Sequence, residues 1–128
     1  MSIKLLHIDD EADTVQMIKL ALESEGFEVI PAYSGLEGIQ KILLEKPDII
    51  LLDIMMPGLN GYDVLKALKQ KPNPLPTPIV ILSAKTAQED IEKAMNYGAA
   101  DYITKPFDIL SLADRLRRSL RNGLKTED

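Results

Sequence analysis

Apolar residues along this chain gather in five short runs, and most of the runs stop at a residue that can do chemistry. Ile3 to Ile8 ends at Asp9 and Asp10, Ile49 to Leu52 at Asp53, Ile79 to Leu82 at Ser83, and Ala99 to Thr104 at Lys105 and Pro106. Phe27 to Ile30 is a further short run. Runs of this length between turn residues read as buried strands. The stretches between them carry helical spacing instead. Val15, Ile18 and Leu22 fall at i, i+3 and i+7 and predict a first helix, ended by Gly26. Ser34 is the expected N-cap of a second helix, with Glu37 completing a capping box. That helix carries Leu36, Ile39, Ile42 and Leu43 and stops before Pro47. Pro57-Gly58 and Asn60-Gly61 mark a turn-rich loop ahead of a third helix with Val64, Leu65 and Leu68. Prolines 72, 74, 76 and 78 predict a stiff, extended connection. Thr86, with Glu89 three residues on, is the expected cap of a fourth helix carrying Ile91, Ala94 and Met95 up to Gly98. Phe107 or Asp108 opens a last helix with Ile109, Ala113, Leu116 and Leu120 on one face.

Strand and helix alternate throughout, which predicts an α/β fold: a parallel sheet with helices on both faces, joined by right-handed crossovers. Residues 1–122 read as one domain, and 123–128 as a frayed C-terminal tail. A chain of 128 residues with 45% hydrophobic positions is long enough to bury a core. Cysteine is absent, so neither disulfides nor thiolate metal sites arise. The net charge of −5 argues against nucleic-acid binding through bulk charge. No apolar run approaches the ~18 residues of a membrane span, and Asp9-Asp10 interrupts the first run too early for a secretory signal. The expectation is a soluble cytoplasmic protein.

If the strands are parallel neighbours, Asp9, Asp10, Asp53, Ser83 and Lys105 converge outside their carboxyl ends, where open α/β sheets bind ligands. Three carboxylates in contact repel, and one stays protonated unless a cation neutralises them. Hard oxygen donors without His or Cys suit Mg²⁺, which binds through few carboxylates and keeps waters for substrate phosphate. Lys105 adds a fixed positive charge, and Ser83 a hydroxyl that can reach a phosphoryl oxygen. The set reads as a phosphoryl-transfer site whose nucleophile is a carboxylate, forming an aspartyl-phosphate. Taken singly, each residue reads more simply as a helix cap, a turn residue or a solvated lysine. All five at strand ends, in the right types, favour the site.

These segments resemble the receiver domain of two-component response regulators. The resemblance runs from about Lys4 to Leu120. It is carried by Asp9-Asp10-Glu11, by Asp53 to Gly58 followed by Asn60-Gly61, by Ser83-Ala84, and by Tyr102 to Phe107. It implies a flavodoxin-like, doubly wound sheet of five strands in the order 2-1-3-4-5 with five helices. It implies that Asp53 accepts phosphate from a sensor histidine kinase or a histidine phosphotransfer protein. It further implies that Asp10, Asp53 and the backbone carbonyl of Met55 ligate Mg²⁺, with Asp9 assisting through water. Ser83 and Lys105 then bind the phosphoryl group. A cis peptide is expected at Lys105-Pro106. Ser83 and Tyr102 form the switch: the hydroxyl moves toward the phosphate, the ring turns inward, and the surface of the fourth helix, fifth strand and fifth helix is remodelled.

The resemblance is to a stand-alone, chemotaxis-regulator-like receiver. Output then passes to a downstream protein target, with a phosphorylation-dependent dimer among the outcomes and no direct role for nucleic acid or membrane. Such a protein catalyses only its own phosphorylation and dephosphorylation. Two alternatives compete: a phosphate-independent interaction module on the same fold, and an aspartyl-phosphate phosphatase. The latter wants a second aspartate where this chain has Met55. Dinucleotide binding is disfavoured, since no G-x-G-x-x-G follows the first strand. Met55 and Lys85, two residues after Asp53 and Ser83, offer no amide or acid to orient an attacking water, so slow self-dephosphorylation is expected. His7 shares a strand face with Asp9 and reads as a core or rim histidine, with influence on the metal site as the alternative. Arg115, Arg117, Arg118 and Arg121 read as a solvated helix face paired in part with Asp114, or as a partner contact.

Overall fold

The computed structural model describes residues 2–126, with side chains to residue 122. Five strands and five helices alternate: β1 (Ile3–Ile8), α1 (Ala12–Glu23), β2 (Phe27–Ala32), α2 (Gly35–Glu45), β3 (Ile49–Leu52), α3 (Gly61–Lys69), β4 (Ile79–Ser83), α4 (Gln88–Asn96), β5 (Asp101–Thr104) and α5 (Ile109–Thr126). All strand pairs are parallel, and the sheet order is β2-β1-β3-β4-β5. This is the flavodoxin-like arrangement expected of the chain.

Alternation along the strands splits the core in two. Leu6, Ile8, Ile50, Leu52, Ile79 and Ile81 pack with residues of α2, α3 and α4. Leu5, Ile49, Leu51, Val80, Leu82 and Ile103 pack with residues of α1 and α5 on the opposite face. The central strands β3 and β4 are apolar at nearly every position because both faces are covered.

Several local expectations hold and several do not. Ser34 accepts from the Glu37 N–H, as a capping box requires, but Glu37 reaches back to the N–H of Tyr33 rather than to that of Ser34. Lys46 closes α2 in the left-handed conformation, directly before Pro47. Asp108 opens α5, its carboxylate accepting from Ser111 N–H. α1 ends at Glu23, and Gly26 turns the chain at φ +92° two residues past the C-cap. Thr86 does not cap α4: the N-cap is Ala87, which has no side-chain acceptor. The apolar stripe of α2 also differs. Leu36 and Leu43 are exposed; the helix meets the sheet through Gly38 and Ile42, while Gly35 packs against Leu59 and Val64. A Cβ on Gly38 would sit 2.5 Å from Ile8 Cδ1, so the missing side chain is what lets α2 approach β1. Met95 is likewise largely exposed on α4. β2 runs on through Pro31, tolerated because β2 is an edge strand. β5 begins at Asp101, two residues later than the apolar run. Helical backbone of α5 continues past Gly123 to Thr126; the rest of the expected tail, 127–128, lies outside the described residues.

Candidate functional site

The carboxyl ends of β1, β3 and β4 repeat one local device. Each ends in a side-chain oxygen that accepts a hydrogen bond from the backbone N–H two residues on. Asp9 Oδ1 takes Glu11 N–H at 3.0 Å, Asp53 Oδ1 takes Met55 N–H at 3.0 Å, and Ser83 Oγ takes Lys85 N–H at 3.2 Å. Short polar side chains favour such turns. The effect is to stop each strand and hold its last polar group at the rim. The strand ends are themselves in register: Asp9 N–H bonds to Ala32 O, Asp53 N–H to Ile8 O, and Lys105 N–H to Ser83 O.

Carboxylate oxygens of Asp9, Asp10 and Asp53 lie within 4.8 Å of one another. Asp9 and Asp53 are buried and Asp10 is exposed, so the cluster opens to solvent on one side. Lys105 reaches over it, with Nζ 3.4 Å from Asp53 Oδ2, 3.6 Å from Asp9 Oδ2 and 3.8 Å from Glu11 Oε1. Burial pushes the Asp53 carboxyl up, and the neighbouring Asp9 charge adds to this, against the Met55 N–H and Lys105. Burial would raise Asp9 as well, but its contacts with His7, the Glu11 N–H and Lys105 together hold it below the usual carboxylate value. Among the described residues, Asp9 Oδ2 has no hydrogen-bond partner. A buried carboxylate oxygen without a donor, in a cluster of three acids facing one lysine, fits a hard divalent cation.

The remaining expected residues are all brought to this rim. Ser83 is fully buried at the end of β4. Tyr102 is buried too, with its hydroxyl donating to Lys85 O at 2.8 Å. Its ring is therefore already turned inward. Lys105-Pro106 is cis, as expected. Met55 contributes its N–H to Asp53 and leaves its side chain exposed.

Three features of the site region had no signal in the sequence. Lys85 joins the site to α4: its N–H meets Ser83, its O meets Tyr102, and its Nζ lies 3.9 Å from Asp90. Tyr62, at the start of α3, donates to Asp90 Oδ1 at 3.1 Å and so ties α3 to α4. Arg115 is not simply solvated. It forms a two-point pair with Asp101 and also donates to Tyr102 O, while Asp114 pairs with Arg117. Asp101 accepts from Tyr102 N–H as well, so both backbone groups of Tyr102 on the open edge of β5 are occupied.

Fold and rim together define a doubly wound α/β domain with an acidic site at a strand-end crevice. The sequence model of the response regulator receiver domain matches residues 5–117, and the chain belongs to that family. Response regulator ArlR of Staphylococcus saprophyticus is 41% identical over 118 residues, covering 92% of this chain and 52% of that protein. The chain thus spans about half the length of the curated relatives it matches. Among solved structures, the receiver domain of the Francisella response regulator 1452 superposes with a TM-score of 0.87 at 34% identity, covering 94% of this chain and 98% of that one. The chemotaxis protein CheY4 of Vibrio cholerae superposes at 0.85 with 30% identity, covering 93% and 99%. This chain is a receiver domain of two-component signalling, a family in which phosphorylation falls on an aspartate. Receiver domains are signalling modules that work between histidine kinases and downstream targets. Among the described residues no helix is long and apolar enough to cross a membrane.

Proposed function

We propose that Asp53 is the phospho-acceptor. Its carboxylate attacks the phosphorus of a phosphohistidine on a sensor kinase or histidine phosphotransfer protein. The new P–O bond forms as the P–N bond breaks, and the leaving imidazole nitrogen takes up a proton. The observation that carries this reading is that Lys105 Nζ, from the end of β5, lies within 3.6 Å of both Asp53 and Asp9 at the ends of the neighbouring strands β3 and β1. Lys105 stands where it can neutralise an oxygen of the incoming group, and the Ser83 hydroxyl at the end of β4 is the donor that would take a second one. Asp10, Asp53 and the Met55 carbonyl, with Asp9 in support, are the residues that would hold Mg²⁺. The bound ion supplies charge neutralisation to the phosphoryl oxygens.

An apolar groove of about 400 Å³ borders Lys105, with Met17 and Ala21 on one wall and Pro106, Phe107 and Ile109 on the other. It gives the phospho-donor a surface against which to seat, next to the acceptor. Output follows from Ser83 and Tyr102. Phosphate engages the Ser83 hydroxyl in place of its Lys85 contact, which biases the β4–α4 loop and the face of α4, β5 and α5. That face then controls a protein target in the cytoplasm or a second copy of the chain. No turnover beyond the domain's own phosphorylation and dephosphorylation is part of this reading, since exposed Met55 stands where a phosphatase needs its second acid.

Intact mass after incubation with Mg²⁺ and a small acyl phosphate tests the assignment. One added phosphoryl group that requires both Mg²⁺ and Asp53, and is lost in Asp53→Ala, is the expected result. No adduct, together with no binding of a beryllium–fluoride mimic, overturns it in favour of a phosphate-independent interaction module.

A further inference from the structure

His7 is fully buried on β1, two residues before Asp9 and on the same strand face. Neither ring nitrogen makes a hydrogen bond among the described residues, and neither does Asp9 Oδ2. These unpartnered atoms face each other, His7 Nε2 standing 3.6 Å from Asp9 Oδ2. In register across the sheet His7 meets Pro31, which has no N–H, and apolar Leu51. The other buried positions of this strand are Leu5, Leu6 and Ile8. An imidazole there carries a desolvation cost that an apolar side chain would not.

We propose that His7 is a positioning residue for the acidic site. Its Nε2–H steers Asp9 Oδ2 toward Asp10 and Asp53 and prepares the cluster for a divalent cation. The carboxylate of Asp9 is anchored at Oδ1 by the Glu11 N–H, which leaves its other oxygen free to swing. Lys105 approaches that oxygen at 3.6 Å, but on a long flexible stem that it shares between Asp53 and Glu11. The His7 ring is instead clamped in the core, so it fixes direction where Lys105 supplies only charge. The present separation is longer than a hydrogen bond, and a small torsion of Asp9 closes it. Groups that orient ligating side chains in this way are worth roughly 10–100-fold in metal affinity. The inference rests on the metal reading given above, and its test separates the two.

The chain has one histidine, so a nitrogen-15 spectrum reads its tautomer without ambiguity. The proton is expected on Nε2, with that signal moving as Mg²⁺ is titrated. Calorimetric Mg²⁺ binding by wild type, Asp10→Ala, His7→Leu and His7→Gln completes the test. His7→Leu should bind on the order of 10-fold more weakly, while His7→Gln, whose amide nitrogen can take the place of Nε2, keeps most of the affinity. Urea unfolding of His7→Leu in chelator should show a midpoint no lower than wild type, a direction opposite to the affinity change. Wild-type binding that is lost in Asp10→Ala but unchanged in His7→Leu overturns the inference alone. Should His7→Leu fail to fold, a proton found on Nδ1, or His7→Gln as weak as Asp10→Ala, overturns it. A wild type that takes up no Mg²⁺ overturns the metal reading itself.

Discussion

The Tyr102 hydroxyl donates to the backbone oxygen of Lys85, 17 residues earlier, at 2.8 Å, while the Lys85 N–H bonds to Ser83 Oγ. One residue of the β4–α4 loop thus touches both members of the proposed switch. Tyr102→Phe removes one bond of this chain and leaves the ring in place. Its unfolding free energy should fall by about 1 kcal/mol, read by urea denaturation. Phosphorylation should proceed at the wild-type rate while its effect on partner binding weakens. A variant whose phosphorylated form binds its target as wild type does would show that the Lys85 contact carries no signal.

Tyr62 gives a pH dependence of known sign. Burial raises its hydroxyl above the ordinary value of 10.0, and the hydrogen bond to Asp90 adds to this. The folded state therefore holds the proton to higher pH than the unfolded chain. Stability from this group is complete below pH 10.0 and is lost as pH rises toward the folded value. Tyr62→Phe lacks the bond to Asp90 and should be less stable by roughly 1–2 kcal/mol near neutrality. The gap to wild type should narrow above about pH 10. Urea midpoints across that range decide it, and a constant gap would contradict the assignment.

Asp53, Asp10 and Asp9 repel one another when no cation is bound. Asp53→Asn removes one charge and keeps the shape, so in chelator at neutral pH it should unfold at higher urea than wild type. Saturating Mg²⁺ should stabilise wild type more than the variant and so close the difference. If Asp53→Asn is the less stable protein in chelator, the pull of Lys105 and the Met55 N–H outweighs the repulsion.

Much of this was legible from the chain alone because the informative residues sit beside the strong signals. Asp9, Asp53, Ser83 and Lys105 each follow an apolar run, so placing the strands places the site. What stayed hidden depends on contacts that leave no periodic trace. Asp101 and Arg115 pair across 14 residues, and Tyr62 and Asp90 across 28, with nothing local to announce either. The inward side of α2 was misread because Gly38 approaches Ile8 of β1, and Gly35 approaches Leu59 and Val64, without contributing an apolar side chain to the pattern. Thr86 looked like a cap because its residue type and spacing to Glu89 were right, and the helix begins one residue too late for it.

Gly61 shows how tightly the loop after Asp53 is built. Its N–H bonds to Ile54 O, and a Cβ there would stand 2.5 Å from Asp53 O. The obstacle is backbone, which cannot rotate away as a side chain can. Gly61→Ala should therefore cost about 1–3 kcal/mol in stability. It should also slow acyl-phosphate labelling, because the displaced strand end carries the acceptor. Retention of wild-type labelling with only the stability loss would place the strain on the α3 side instead.

Lys105 is the cation that this site carries with it. Its Nζ lies within 3.6 Å of both Asp53 and Asp9, which puts one positive charge between two buried acids. A phosphoryl group arriving at Asp53 brings further negative charge to the same place. The lysine then becomes a preorganised partner for an oxygen of that group rather than for the carboxylates. Lys105→Gln keeps a hydrogen-bond donor on a shorter side chain and deletes the charge. The rate of labelling by a small acyl phosphate should fall on the order of 100-fold, as when one donor is removed from an oxyanion site. Mg²⁺ affinity should rise at the same time, since a competing cation has left the carboxylates. Slower labelling with unchanged Mg²⁺ affinity would assign Lys105 to the phosphoryl group alone. Unchanged labelling would remove it from the chemistry and leave it as a structural counter-charge.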